Sequence, residues 1–341
     1  MPSERLTLAL QRTWALRGAA SLALRPLSWG YRLLAGSHKQ IYALGLKPRT
    51  HLPVPVIVVG NVIVGGAGKT PVVIAVVQHL QSLGLVPGVV SRGYGRSGTS
   101  CVEVTANGLA RDMGDEPLLI RQKTGAPTFV AARRVQAAQA LLAEHPAVNV
   151  IVCDDGLQHH ALQRDIEICV FDDRGIGNGL LLPAGPLREP WPRPIDLVLN
   201  TGALARVSGF AATRALAAYA VDARGGQYEL ARSNAISGLP ILAVAAIAQP
   251  EGFFGMLRAQ GVQLSKTVSL PDHYDFDSWM RSVYDGFQVI CTEKDANKLW
   301  QTMPNAWAVP LLLTPEPAFF TALREHLARH ITLPLSSSYG H

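Results

Sequence analysis

An α/β fold organised on a mostly parallel sheet is what this sequence predicts, and three observations predict it. Apolar runs of five or six residues recur at 54–59, 86–90, 148–152 and 166–171, each the length of a buried strand. Helix-length stretches at 72–80 and 131–144 alternate with them. A glycine turn, Gly65-Gly66-Ala67-Gly68-Lys69-Thr70, joins the first strand to the first of those helices.

That turn is where the chemistry starts. Its glycines let backbone N–H groups converge on one anion, and the helix that follows adds its dipole. Lys69 has the reach for β- and γ-phosphates, and the Thr70 hydroxyl suits Mg²⁺. Pro71 falls in the first helical turn, where a missing N–H costs nothing. Ile63 stands where the standard Walker A pattern has its first glycine, so the turn has a deviant form. The expectation is a P-loop NTPase-like domain, with helices on both faces of the sheet, that binds a nucleotide's phosphates and Mg²⁺. The bland alternative, a ligand-free glycine turn, fits the flanking strand and helix less well.

The chain has 341 residues, enough for two modest domains or one large one. We expect a basic arm over 1–50, a P-loop core over 51–200, a smaller second α/β domain over 201–330, and a mobile tail over 331–341. Hydrophobic residues make up 48% and the formal charge is +6, which points to an anionic partner: nucleotide, nucleic acid or membrane surface. Cys101, Cys153, Cys169 and Cys291 are widely spaced without a Cys-x-x-Cys pair, which reads as core residues rather than a zinc site.

The arm carries Arg5, Arg12, Arg17, Arg25, Arg32, Lys39, Lys47 and Arg49 against the single acid Glu4, interleaved with leucines and with Trp14 and Trp29. Its arginines interrupt every apolar stretch well short of the about 18 residues that span a bilayer. Leucines, indoles and a basic face are what an amphipathic helix in the headgroup layer needs. A helix packed on the core with a solvated basic side is the plainer reading, and an Arg-rich transit peptide a third.

Beyond the glycine turn, the second strand ends in Ser91-Arg92-Gly93-Tyr94-Gly95-Arg96, where open α/β sheets bind ligands; Arg92 and Arg96 are candidates for phosphate contact. Asp115 and Glu116 precede an apolar run. They can serve as helix-start acids, or divide between Mg²⁺ and a substrate hydroxyl. The run 148–152 leads into Asp154-Asp155, the Walker B pattern of a carboxylate beside the Mg²⁺ held by Thr70. His159 and His160 follow and read as hydrogen-bonded side chains sooner than as metal ligands. A proline-rich segment over 175–194 reads as a long ordered loop; its Arg188 is placed to stabilise transferred-phosphate charge, or simply lies on the surface. A strand is expected at 195–199, whereas 202–239 gives little to read. Strands at 241–247 and 308–313 and helices at 251–259 and 317–330 complete the reading. In that half His273 lies between Asp272 and Asp275, a weak signal alone. Thr292-Glu293-Lys294-Asp295 superficially suggests a guanine-reading motif, but its lysine and aspartate are adjacent and that reading is rejected.

Taken together, 65–70, 91–96, Gly114-Asp115-Glu116-Pro117, Asp154-Asp155-Gly156-Leu157-Gln158-His159, Gly185-Pro186-Leu187-Arg188-Glu189-Pro190, Asp272-His273-Tyr274 and 292–295 resemble the tetraacyldisaccharide 4'-kinase family. Seven motifs in one order carry the resemblance, from the arm to about residue 300. Leu157 stands where that family often has phenylalanine. The resemblance implies a peripheral enzyme on the cytoplasmic face of the bacterial inner membrane that moves the γ-phosphate of ATP to the 4'-hydroxyl of a lipid disaccharide 1-phosphate. It makes Asp115 the base, pairs it with His273, associates Glu116, Asp154 and Asp155 with Mg²⁺, and links Arg188 to phosphate or substrate. With His273 in the expected second domain, the site is expected in the cleft between the domains. No nucleic acid and no obligate protein partner are expected.

Two other classes stay open on sequence. A membrane-associated ATPase switch or partitioning protein explains the deviant turn and the basic arm equally well, but has no use for an acceptor base. A nucleic-acid-binding ATPase fits less well, because the basic residues gather in an arm rich in leucine and tryptophan.

Overall fold

The computed structural model describes residues 13–14, 16–277, 279 and 284–332. The expected tail from 333 onward and the first twelve residues of the arm lie outside the described residues. The chain divides into two compact units, one formed by Met1–Ser91, Arg133–Thr213 and Pro315–His341, the other by Arg92–Ala132 and Arg214–Thr314. It is a mixed α/β protein.

In the first unit, β1 (Val56–Gly60), β2 (Pro87–Ser91), β5 (Val150–Asp154), β6 (Ile166–Phe171), β7 (Leu197–Asn200) and β8 (Phe210–Leu216) lie in the order β8-β7-β6-β1-β5-β2, every neighbouring pair parallel. The central strands are Val-, Ile- and Cys-rich and buried except at Glu167 of β6, as a sheet covered on both sides demands. Helix α2 (Lys69–Ser82) follows β1, and α5 (Arg134–Glu144) precedes β5. Register sets Val59 of β1 beside Asp154 of β5, so the turn after β1 and the acids after β5 leave the sheet at the same end. Helix α1 (Ala19–Ala43) buries Ser21 and Ser28 and exposes leucines. Among the described residues no helix is long and apolar enough to cross a membrane.

The second unit contains a sheet of order β10-β9-β14-β13-β11-β12. Its parallel part is β11 (Ile241–Ala245), β12 (Leu264–Ser269), β13 (Gln288–Thr292) and β14 (Trp307–Val309); the short β9 (Tyr219–Val221) and β10 (Gln227–Glu229) add antiparallel edges, and the short helix α6 (Ser233–Ser237) leads from β10 toward β11. Side chains alternate along β11: Ile241, Ala243 and Ala245 pack with Phe253, Phe254 and Leu257 of α7 (Pro250–Ala259), whereas Leu242 and Val244 pack with Phe276 and with Ala296 and Leu299 of α8 (Glu293–Leu299). The stretch 92–132 supplies the antiparallel pair β3 (Val102–Glu103) and β4 (Thr128–Val130), with α3 (Ala110–Met113) and α4 (Asp115–Thr124). Helix α4 is tied to α8 by two hydrogen bonds between Gln122 and Asn297 and by an ion pair between Lys123 and Glu293. That tie sets the start of α4 beside the residues of α8.

Candidate active site

The glycine turn of the first unit is a conformational requirement. Gly65 has φ +91° and Gly68 +67°, values that L side chains resist, and Gly68 hands the chain directly into α2 at Lys69. Arg174 braces the turn. Its guanidinium donates to the Val64 carbonyl at 3.2 Å and the Gly66 carbonyl at 2.8 Å, while Asp172 accepts from its Nε. Ile63, where the standard pattern has glycine, is buried and bridges to Leu187, and Val64 N–H donates to the Pro186 carbonyl. The expected long loop is therefore stitched to the turn.

Around it stand the acids. Asp154 is buried, and one oxygen accepts from the Ser91 hydroxyl at 3.0 Å. Asp155 sits in the left-handed region at φ +48°, with Lys69 Nζ at 3.3 Å and Arg188 Nη1 at 3.7 Å from the same oxygen. Burial would raise the Asp155 carboxyl, but the charges of Lys69 and Arg188 outweigh it and hold the group below its usual range. Arg134 donates to the Asp155 carbonyl, and Gln158 links the Asn61 carbonyl, Glu189 and Arg188. Thr70 is buried in the first turn of α2, and Ala67 beside it is closed to solvent.

This cluster fits Mg²⁺ by its chemistry. The Thr70 hydroxyl and the Asp154 and Asp155 carboxylates are hard oxygen donors at one end of the sheet. Among the described residues no three His, Cys, Asp or Glu side chains assemble a self-sufficient cage. A cation held here would need phosphate or water oxygens to complete its shell, as Mg²⁺ ordinarily does. His160 stays out of it: burial and the neighbouring Arg164, His38 and Lys39 push its imidazole down to about 4, and its ring faces His38 and Tyr42 of α1.

The second unit holds the other group. Asp115, 4% exposed, opens α4 after Gly114, whose φ of +88° turns the chain against Gly93. His273, itself at φ +64°, brings Nδ1 to 3.0 and 3.1 Å from the two Asp115 oxygens. Lys298 Nζ donates to Asp115 at 3.2 Å, and Lys294 donates to Glu116 at 3.0 Å and Asp272 at 3.3 Å. Burial would raise the Asp115 carboxyl, yet the His273 hydrogen bond and the two lysines hold it well below the carboxylate range. Burial likewise opposes charging His273, and the Asp115 hydrogen bond overcomes it, so the imidazole is raised. A cavity of about 90 Å³ opens over this pair, lined also by Tyr94, Arg111 and Asp275.

Of the arginines marked in sequence, Arg92 is exposed, Arg96 holds the Ser100 carbonyl within its own loop, and Arg188 faces Asp155. Glu116, marked for metal, lies in the second unit on Lys294.

A family model described as tetraacyldisaccharide-1-P 4'-kinase matches residues 20–328. The chain belongs to this kinase family. It is 56% identical over 334 residues to the tetraacyldisaccharide 4'-kinase of Acidovorax ebreus, covering 97% of this chain and 96% of that one. It is 52% identical to the same-named protein of Delftia acidovorans over 321 residues, covering 93% and 94%. Among solved structures it resembles "apo" form LpxK from Aquifex aeolicus in complex with ATP, with TM-score 0.75, 25% identity, and coverage of 90% of this chain and 99% of that one.

Arg174 and Lys298 of this family member were given no role in the sequence reading, and Lys294 was noted only as part of the 292–295 motif. A usable signal existed for the lysines. Thr292 caps α8 by accepting from the Asp295 N–H, and buried Asp295 accepts from Thr292 Oγ1 and Ala246 N. Once that cap fixes the helix start, Lys294 and Lys298 fall four apart on one face. Asp295 is thus the architectural member of the 292–295 motif.

Proposed function

We propose that this chain transfers the γ-phosphate of ATP to the 4'-hydroxyl of a tetraacyldisaccharide 1-phosphate, working peripherally at the cytoplasmic face of the inner membrane. The observation that carries the reading is the buried Asp115–His273 pair over its own cavity, which a nucleotide-driven switch does not need.

Each residue then has a task. The turn over 65–70 acts as a P-loop, presenting backbone N–H groups to the β- and γ-phosphates, with Lys69 neutralising charge. Thr70, Asp154 and Asp155 would hold Mg²⁺, which supplies further positive charge to the phosphates. Glu116 is proposed with them, although it is ion-paired to Lys294 in this structure. Arg188 faces charge developing on the transferred group. Asp115 accepts the hydroxyl proton: its depressed pKa keeps it anionic, and a loose transition state releases the proton late, which suits a weak base. His273 fixes the carboxylate's orientation. Arg92 and Arg96 are proposed for acceptor phosphate contact, and α1 for seating the enzyme on the membrane surface.

The deciding experiment uses γ-labelled ATP with the purified lipid disaccharide 1-phosphate. Label at the 4'-position supports the reading. ATP hydrolysis that is insensitive to the lipid, with no labelled lipid, overturns it in favour of a switch.

A further inference from the structure

Helix α1 and the loop over 178–191 enclose a second cavity, of about 330 Å³, within the first unit. Arg25, Trp29 and Arg32 line one wall, and Leu181, Pro190 and Trp191 belong to the other. Spacings of four and three residues put Arg25, Trp29 and Arg32 on one side of the helix. The wall is fixed. Ser28 donates to the Leu181 carbonyl at 2.9 Å and accepts from Ala184 N–H at 3.1 Å, and the Tyr31 hydroxyl donates to the Arg188 carbonyl at 3.1 Å.

We propose that this cavity binds the phosphate headgroup of an anionic membrane lipid, with Arg25 and Arg32 as the phosphate ligands. The inference rests on the reading of α1 as an interfacial arm and gives that arm a defined site. Charge argues for it: α1 contains no acid, and among the described residues neither arginine has a carboxylate partner. The surroundings argue for a lipid as the source of the phosphate. Leu22, Leu27, Trp29, Leu33 and Leu34 are between 54% and 74% exposed on the same helix, an apolar surface that water disfavours and acyl chains accept. A guanidinium pair amid leucines and indoles is the arrangement of a side chain that anchors at the headgroup level.

The test is co-sedimentation of the full chain with phosphatidylcholine vesicles and with vesicles containing phosphatidylglycerol, comparing Arg25→Ala/Arg32→Ala with Lys39→Ala/Lys47→Ala. Both doubles remove two positive charges from the same arm, so general attraction predicts equal losses. The site predicts that the arginine double loses at least about tenfold more affinity for the anionic vesicles than the lysine double. Nucleotide affinity and circular dichroism serve as checks that the arginine double is folded. Equal losses overturn the site while leaving the interfacial arm intact, whereas a wild-type chain that ignores both vesicles defeats the arm and the site together. Protection of Trp29 fluorescence by glycerol phosphate without vesicles would reassign the cavity to a soluble phosphate. Unchanged vesicle binding with a raised KM for micellar lipid substrate would give it to the substrate. Either result overturns the proposal.

Discussion

Nδ1 of His273 lies 3.0 Å from one oxygen of Asp115 and 3.1 Å from the other, although the two residues are 158 positions apart in the chain. The imidazole nitrogen is therefore shared between both carboxylate oxygens, and Lys298 donates to one of them as well. Asp115→Asn keeps the size and removes the proposed proton acceptor. Phosphate transfer should fall by at least about a hundredfold, with ATP affinity little changed. Single-turnover transfer near the wild-type rate would remove Asp115 from the chemistry.

The same pair has a pH signature. Asp115 is depressed below its ordinary 3.8, so its stabilising contribution is present above that value and lost as pH falls through the folded-state pKa. His273 is raised above 6.5, so its contribution is present below that value and lost as pH rises through its folded-state pKa. Both act together between about 4 and 6.5. His273→Ala removes the hydrogen bond that depresses Asp115, so the acid limb of kcat/KM should move to higher pH. Transfer at neutral pH should fall about ten- to a hundredfold. A pH–rate profile checks both, and an unmoved acid limb would mean that the lysines alone set the carboxyl.

Much of this was legible in sequence, for physical reasons that also mark where legibility stopped. The strand at 166–171 was readable to the residue because an apolar run is bounded on both sides by charge. The run 308–313 reads as one strand but is two, β14 and Leu311–Pro315, because Pro310 brings no N–H to a ladder. Residues 202–239 hid β8, β9 and β10: β8 alternates in burial, but with alanines exposed at 211 and 215 and Arg214 on the more buried side its residue types do not show it, and the others are three residues long. The glycine turn and the paired acids announce themselves because their chemistry is local. Lys294 and Lys298 do not, since their partners Glu116 and Asp115 lie 178 and 183 residues away.

Arg174 occupies the Val64 and Gly66 carbonyls while Asp172 holds its Nε, which leaves the turn's N–H groups facing the other way. Arg174→Gln should loosen that orientation and raise the KM for ATP about tenfold, with a smaller effect on kcat. Arg174→Lys should rescue only part, because an ammonium lacks the planar fork that reaches three acceptors at once. Steady-state kinetics at saturating lipid separates the outcomes. A loss confined to kcat would place Arg174 on the transferred phosphate instead of the turn.

His160 gives a stability test remote from the reaction. Its imidazole, half-buried beside Arg164 and close to His38 and Tyr42, is pushed down to about 4, so the folded chain keeps it neutral where the unfolded chain, at 6.5, takes up a proton. Between those two values the unfolded state binds the extra proton, and stability must therefore drop as pH falls from 6.5 toward 4. His160→Gln retains polar contact with Arg164 but cannot charge. Urea denaturation at pH 7 and pH 5 should show a smaller acid-induced loss in the variant than in the wild type. An equal loss in both would mean that the contact between α1 and the 156–165 loop opens before His160 is protonated, leaving the acid sensitivity to the carboxylates.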